Sequence, residues 1–319
     1  MELYIEKEFL DNFYLEYDEE NPTQGQKVLT GILKEYGEVD WFIDAEINDA
    51  ETLEKFKLSN PFFAYRATYA PPIPVESLHD HFFKNSRCRQ TLIYTDKEED
   101  WHKEAEAKGA LCFSSGNFQQ KIEDIIEKAH FKIDLSEEFK NWDVFNSLNQ
   151  IPFNELLVND NYILTDKSQQ LMDKNIIPFF KLLLANKKES EIQCHIFTKD
   201  LNPIQPKGDD QVWEAVEKRH KKLNSGLANF KKKIRIVNNS VQTDHYDLHD
   251  RVLLTNFFSI DSGKGFNLIP HKKSNSQVVV ETIFDKYTYK RLKNHFKIYE
   301  EYLKRFEHRE SLKFTIYPS

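Results

Sequence analysis

Short apolar runs alternate with amphipathic stretches through the first 130 residues. Leu3–Ile5, Trp41-Phe42-Ile43, Thr91–Tyr94 and Ala110–Phe113 read as short strands. Between them, 27–36 sets Val28, Leu29, Ile32 and Leu33 at helical spacing, and 51–57, 98–108 and 118–130 predict further helices. Gly109 is placed to cap the third of these. Residues 61–74 are aromatic and broken by prolines, which predicts a loop or an edge strand. Strand and helix alternating at this pitch predict a parallel α/β sheet, Rossmann-like in type.

The pattern lapses between Phe131 and Pro152, where Asp, Glu, Asn and Trp interrupt it, so a domain boundary is expected there. Beyond it, Leu156–Val158 and Tyr162–Leu164 read as strands or a hairpin. Asp166 is a candidate cap for a helix over 168–186, which Pro178 should bend or divide. Further strands are expected at 192–198, 234–237, around His249, at 257–260 and at 277–283, with a helix over 212–233. Tyr289, Leu292, Phe296, Tyr299, Leu303 and Phe306 mark one long amphipathic helix capped by Asp285, and Leu312, Phe314 and Ile316 a closing strand. The expected organisation is therefore two α/β domains, 1–140 and 150–319.

A chain of 319 residues with 25 Phe is long enough for two cores. No apolar run is long enough to span a bilayer, and the N-terminus lacks a signal-peptide pattern. Cys88, Cys112 and Cys194 are isolated, which predicts reduced thiols in a cytoplasmic protein. Charge divides unevenly: residues 1–150 carry a net −15 and the remainder +7. Either the second half alone meets a polyanion, with the acidic half left to a protein partner, or the two halves attract each other.

The candidate chemistry lies in Leu248-His249-Asp250-Arg251 and the following Ser262-Gly263-Lys264-Gly265-Phe266-Asn267. His249 and Arg251, two apart on a β-rich segment, share a strand face, and a glycine-broken turn carrying Ser, Lys and Asn follows. These residues suit gripping a phosphate. They resemble a degenerate form of the phospholipase D superfamily signature, His-x-Lys, four residues, Asp, six residues, Gly-Ser-x-Asn. The run is also similar to a phospholipase-D-like domain at the C-terminus of some membrane-trafficking proteins, where the fold binds rather than cuts.

In that resemblance His249 takes the nucleophile position and Arg251 that of the phosphate-binding Lys. Asn256 stands where an Asp belongs, Gly263 on the Gly, Lys264 on the Ser, and Asn267 one residue past the expected Asn. Such chemistry needs an imidazole to attack phosphorus, a second to protonate the leaving oxygen, and donors for the developing charge. Arg251 would hold two phosphate oxygens, with Ser262, Lys264 and Asn267 as further donors. An amide at 256 can orient an imidazole but gives its cation no charge stabilisation. With a single motif, the resemblance implies a homodimer whose partner supplies the second His. His245 is an internal substitute only if a turn intervenes, being about 13 Å from His249 on a continuous strand.

The expected activity is that of a nucleic-acid phosphodiesterase, a prokaryotic-looking effector of antiviral defence, needing no cofactor. The alternative is a binding module with no turnover. Glu6, Asp44 and Asp96, each at or just after an apolar strand, resemble the arrangement in nucleases of the PIN type, which implies a PIN-like first domain and a different site: a divalent metal held by clustered carboxylates. Lys218, Arg219, Lys221, Lys222, Lys231–Lys233, Arg235, Lys272, Lys273 and five basic residues from Lys286 to Lys297 flank the motif. Aromatics Tyr246, Phe257, Phe258, Tyr287 and Tyr289 lie among them, a mixture that suits a nucleic-acid strand or simply a solvated helix over a core.

Overall fold

The computed structural model describes residues 1–187, 190–199, 209–239, 251–306 and 314–317. It is a mixed α/β protein with two sheets. Contacts divide it into a first unit of residues 1–127, 152–154 and 283–289, and a second of 128–151, 155–282 and 290–319.

The first unit runs β1 (Glu2–Ile5), α1 (Lys7–Leu15), α2 (Gln24–Glu35), β2 (Asp40–Ile43), α3 (Ala50–Ser59), α4 (Pro61–Tyr69), β3 (Ile73–Pro74), α5 (Leu78–Asn85), β4 (Thr91–Thr95), α6 (His102–Ala107), β5 (Leu111–Ser114) and α7 (Phe118–Lys128). Its five strands are parallel in the order β3-β2-β1-β4-β5. Both sheet faces are covered, so β1 and β4 are buried along their whole length and are mostly apolar. On one face Tyr94 packs against Phe9 and Phe113, and Phe9 against Phe118. On the other, Tyr4 meets Phe42 and Phe82. Gly109, at φ 94°, ends the α6 turn as expected.

One stretch differs from expectation. Residues 61–69 are helical, not loop or edge strand. Asn60 accepts from Phe62 N (3.0 Å) and Phe63 N (3.2 Å), and Pro61 occupies the first helical position, where its missing N–H costs nothing.

The second unit contains β6 (Phe131–Asp134), a 3-10 segment (Asp143–Gln150), β7 (Glu155–Asn159), α8 (Gln170–Lys174), α9 (Ile176–Leu183), β8 (Ile192–Thr198), α10 (Asp209–Gly226), β9 (Lys232–Asn239), β10 (Val252–Thr255), β11 (Phe258–Ser262), β12 (Gln277–Thr282), most of α11 (Lys286–Phe306) and β13 (Phe314–Tyr317). The eight strands order as β13-β9-β8-β7-β10-β11-β12-β6. β7, β8 and β9 are parallel, and every other pairing is antiparallel. Phe131–Asp134, expected in a boundary, instead forms an edge strand on β12. Residues 161–164 are a turn rather than a strand.

The helix expected over 168–186 is divided, but at Asn175 rather than Pro178. Asn175 (φ −121°, ψ −87°) leaves the helix to bond both the N–H (2.7 Å) and the carbonyl (2.7 Å) of Ile269. Pro178 then falls in the first turn of α9, where no i−4 partner is lost. The capping role of Asp285 is present: its Oδ1 accepts from Thr288 N at 2.8 Å.

Candidate functional site

Strand register in the second unit brings three sequence-distant residues to one sheet end. β7 pairs with β10 so that Asn159 faces Val252, which puts Asp160 and Arg251 one step beyond that pair on adjacent strands. β10 pairs with β11 so that Val252 faces Asp261, and Ser262 N donates to Arg251 O at 2.9 Å. Asp160 N donates to Phe197 O (3.1 Å), extending the β7–β8 pairing past the strand end. The carboxyl end of β7, the start of β10 and the end of β11 therefore meet. In an α/β sheet this is the kind of place where loops can converge on a ligand.

Asp160 is 2% exposed, and its two oxygens each take one backbone N–H: Oδ1 from Tyr162 (2.9 Å) and Oδ2 from Phe266 (2.8 Å). Burial raises its pKa above the ordinary carboxylate value, opposed by those two amides and by the nearby Arg251 cation. Arg251 donates from Nη1 to Gly263 O at 3.1 Å, and its guanidinium lies 5.5 Å from the Tyr162 ring centroid. That is one protein acceptor for five N–H donors, among the described residues, so most of the fork is open to an anion.

The turn 262–265 is closed by Gly265 N to Ser262 O (3.1 Å) and by the Ser262 hydroxyl to Gly265 O (2.6 Å). Gly265 has φ 84°, and a Cβ there would stand 2.6 Å from Asp160 Oδ2 and 3.2 Å from Arg251 Cδ. Only glycine lets the turn lie against this pair. Phe266 then buries its ring against Phe179, which fixes the N–H that reaches Asp160.

The other expected site residues fall as follows. His249, with His245, Tyr246 and Asp250, lies outside the described residues. Asn256 stands at the far end of β10 from Arg251; it is fully buried, and its Oδ1 accepts from Glu155 N at 3.0 Å. Lys264 bonds the carbonyl of Lys272. Asn267 donates to Tyr162 O at 2.9 Å, holding the loop after β7. The buried Arg219 grips the same loop through the carbonyls of Leu164 and Asp166. Asp160 and Tyr162 were missed as site residues, although an acid directly after an apolar strand was the signal used for Glu6, Asp44 and Asp96.

Several of the basic residues flanking the motif are matched by acids. Lys218 pairs with Glu214, Lys221 with Glu217, Lys222 with Asp173, Lys233 with Glu191, and Arg291 with Asp261 and Glu281. Phe257, Phe258 and Tyr289 are core residues, whereas Tyr287 is exposed.

In the first unit, strand order reverses between β1 and β4, the switch point that forms a crevice. Glu6 follows β1 and Asp96 follows β4, and Glu6 Oε2 accepts from Asp96 N at 2.5 Å. Asp96 Oδ1 takes Asn12 Nδ2 (2.7 Å) and Ser115 Oγ (3.2 Å), while Asp44 Oδ1 takes Lys7 N (2.7 Å). The carboxylates thus fasten the strand ends to the following loops. Among the described residues no group of three His, Cys, Asp or Glu is arranged to hold a metal ion.

No protein-family model matches the chain, and no curated protein matches it. Among the described residues, no helix is long and apolar enough to cross a membrane.

Proposed function

We propose that the second unit is a phosphodiester site of phospholipase-D-like type, acting on nucleic acid in the cytoplasm, in keeping with a defence effector. The observation that carries this reading is Arg251: an open guanidinium fork beside a buried carboxylate and a glycine turn, two residues after His249. The fork receives two non-bridging phosphate oxygens. His249 attacks phosphorus as the P–O bond to the leaving oxygen breaks, giving a phosphohistidine. A second imidazole, from another copy of the chain, protonates the leaving oxygen and then takes a proton from the water that releases the phosphate. No metal is required for these steps.

A specific observation favours the binding-module reading. The Asn256 amide is committed to Glu155 N at the opposite end of β10 from Arg251, so position 256 supplies no charge to the site. Cleavage of labelled single- and double-stranded DNA and RNA, with EDTA or added Mg²⁺, separates the readings. Cleavage that survives EDTA and is lost in His249→Ala supports the histidine mechanism. Metal-dependent cleavage indifferent to His249 moves the chemistry to Glu6, Asp44 and Asp96. Binding without turnover leaves a recognition module.

A further inference from the structure

Tyr162 is fastened at this site through its backbone, while its side chain is exposed. Its backbone is fastened on both sides: the N–H donates to Asp160 Oδ1 (2.9 Å), and the carbonyl accepts from Asn267 Nδ2 (2.9 Å) and Thr165 Oγ1 (2.9 Å). The side chain nonetheless remains 54% exposed. Beside the ring stands the Arg251 guanidinium, 5.5 Å from its centroid. Single exposed aromatics are ordinary on a protein surface; what sets this ring apart is its place on a loop fastened through backbone atoms, beside the Arg251 cation.

We infer that Tyr162 is a stacking platform for an unpaired nucleobase next to the phosphate held by Arg251, so that the ligand of this site is a single-stranded nucleic acid. The inference rests on the phosphate reading of Arg251. A cation that takes the phosphate and a ring that takes the adjoining base are the two parts from which single-strand sites are built. A base inside a duplex is already stacked on both faces and cannot lie on the ring. The other exposed donors nearby do not substitute for the ring, since Lys264 bonds a backbone carbonyl and carries no π face. Phe257 and Phe258 are fully buried and unavailable to a base.

The test uses the full chain carrying His249→Ala, so that turnover does not consume the probe. Fluorescence anisotropy measures affinity for a short labelled oligothymidylate and for an abasic strand of the same length. Stacking predicts that the base-bearing strand binds on the order of tenfold more tightly. Tyr162→Leu should abolish that preference and leave abasic affinity within about twofold, while Tyr162→Phe should keep the preference. Because the side chain is exposed and the loop is held through backbone atoms, both variants should fold; circular dichroism checks this. Equal loss on both strands would mean that the ring serves only Arg251, and no loss on either would mean that it touches nothing. Both results overturn the stacking inference. Arg251→Ala tests the underlying reading separately: unchanged abasic affinity in that variant would remove the phosphate site, whatever Tyr162 does.

Discussion

Gly265→Ala should damage the second unit more than any other single-methyl addition in the 262–265 turn. Two costs add. At φ 84° an alanine is in the left-handed region, at about 1–2 kcal/mol. Its Cβ would also stand 2.6 Å from Asp160 Oδ2, where ordinary contact begins at 3.4 Å, so the carboxylate must give way by about 0.8 Å, the difference of the two. Taken along the bond to Phe266 N, now 2.8 Å, that retreat ends the hydrogen bond. Breaking a bond to a buried carboxylate costs about 1–3 kcal/mol. The total is about 2–5 kcal/mol.

Amide hydrogen exchange at Phe266 reads this locally, which matters in a chain of two units whose global unfolding need not be two-state. Protection of that amide should fall by a factor of roughly thirty or more, and urea denaturation followed by core tryptophan emission should show the same sign. Gly263→Ala is the control, since the nearest atom its Cβ would meet is the Ser276 hydroxyl, which can rotate away. If the two alanine variants agree within about 0.5 kcal/mol, the close approach of turn, carboxylate and guanidinium is wrong.

Three further outcomes follow from other contacts. Burial, then the carboxylates of Asp44, Glu99 and Asp96, raise the Glu6 pKa against the opposing bond from Asp96 N. The folded state therefore holds that proton more tightly than the unfolded chain. The stability it contributes is complete below the unfolded value and is lost as pH rises through the higher folded value. Glu6→Gln should flatten this part of a pH-dependent urea titration and stabilise the protein at neutral pH; a profile parallel to wild type would contradict the assignment. Asn60→Ala removes the α4 cap and the bonds to Leu10 O (3.0 Å) and Asp11 Oδ1 (3.1 Å), so calorimetry should show a loss of about 2–4 kcal/mol. Arg219→Lys keeps the charge but not the fork that holds Leu164, Asp166 and Ala215, so exchange should quicken across 162–169; unchanged protection there would show that the arginine does not hold the loop.

Strands that are short apolar runs bounded by polar or turn residues, such as Leu3–Ile5 and Leu156–Val158, are legible in the sequence. Helix α4 was misjudged although Asn60-Pro61 is a start signal, because Pro71, Pro72 and Pro74 beyond it drew the whole stretch toward loop. Edge strand β6 alternates Phe131, Lys132, Ile133 and Asp134 in the proper manner, but the polar residues after it hid so short an element. Asn175 shows a different limit. Its role depends on Ile269, ninety-four residues away, and nothing local announces that partner.

The candidate site was only partly legible, for a reason that lies in strand geometry. A motif read along one strand assumes that its members meet, yet Val252–Thr255 separates Arg251 from Asn256, at about 3.3 Å per residue. The two ends of β10 serve opposite ends of the sheet. Asn256 joins β10 to the start of β7, whereas Arg251 meets the residue that follows the end of β7. A buried carboxylate, Asp160, stands instead just past the end of the neighbouring strand, beside Arg251. Burial pushes its pKa up, and the two backbone amides and the Arg251 cation oppose that shift. Pairing register, which sequence periodicity does not specify, decides which polar residues share an edge. A degenerate linear motif can therefore still sit beside a compact arrangement of a cation, a carboxylate and a glycine turn. What that arrangement holds is what the Arg251 and Tyr162 variants would measure.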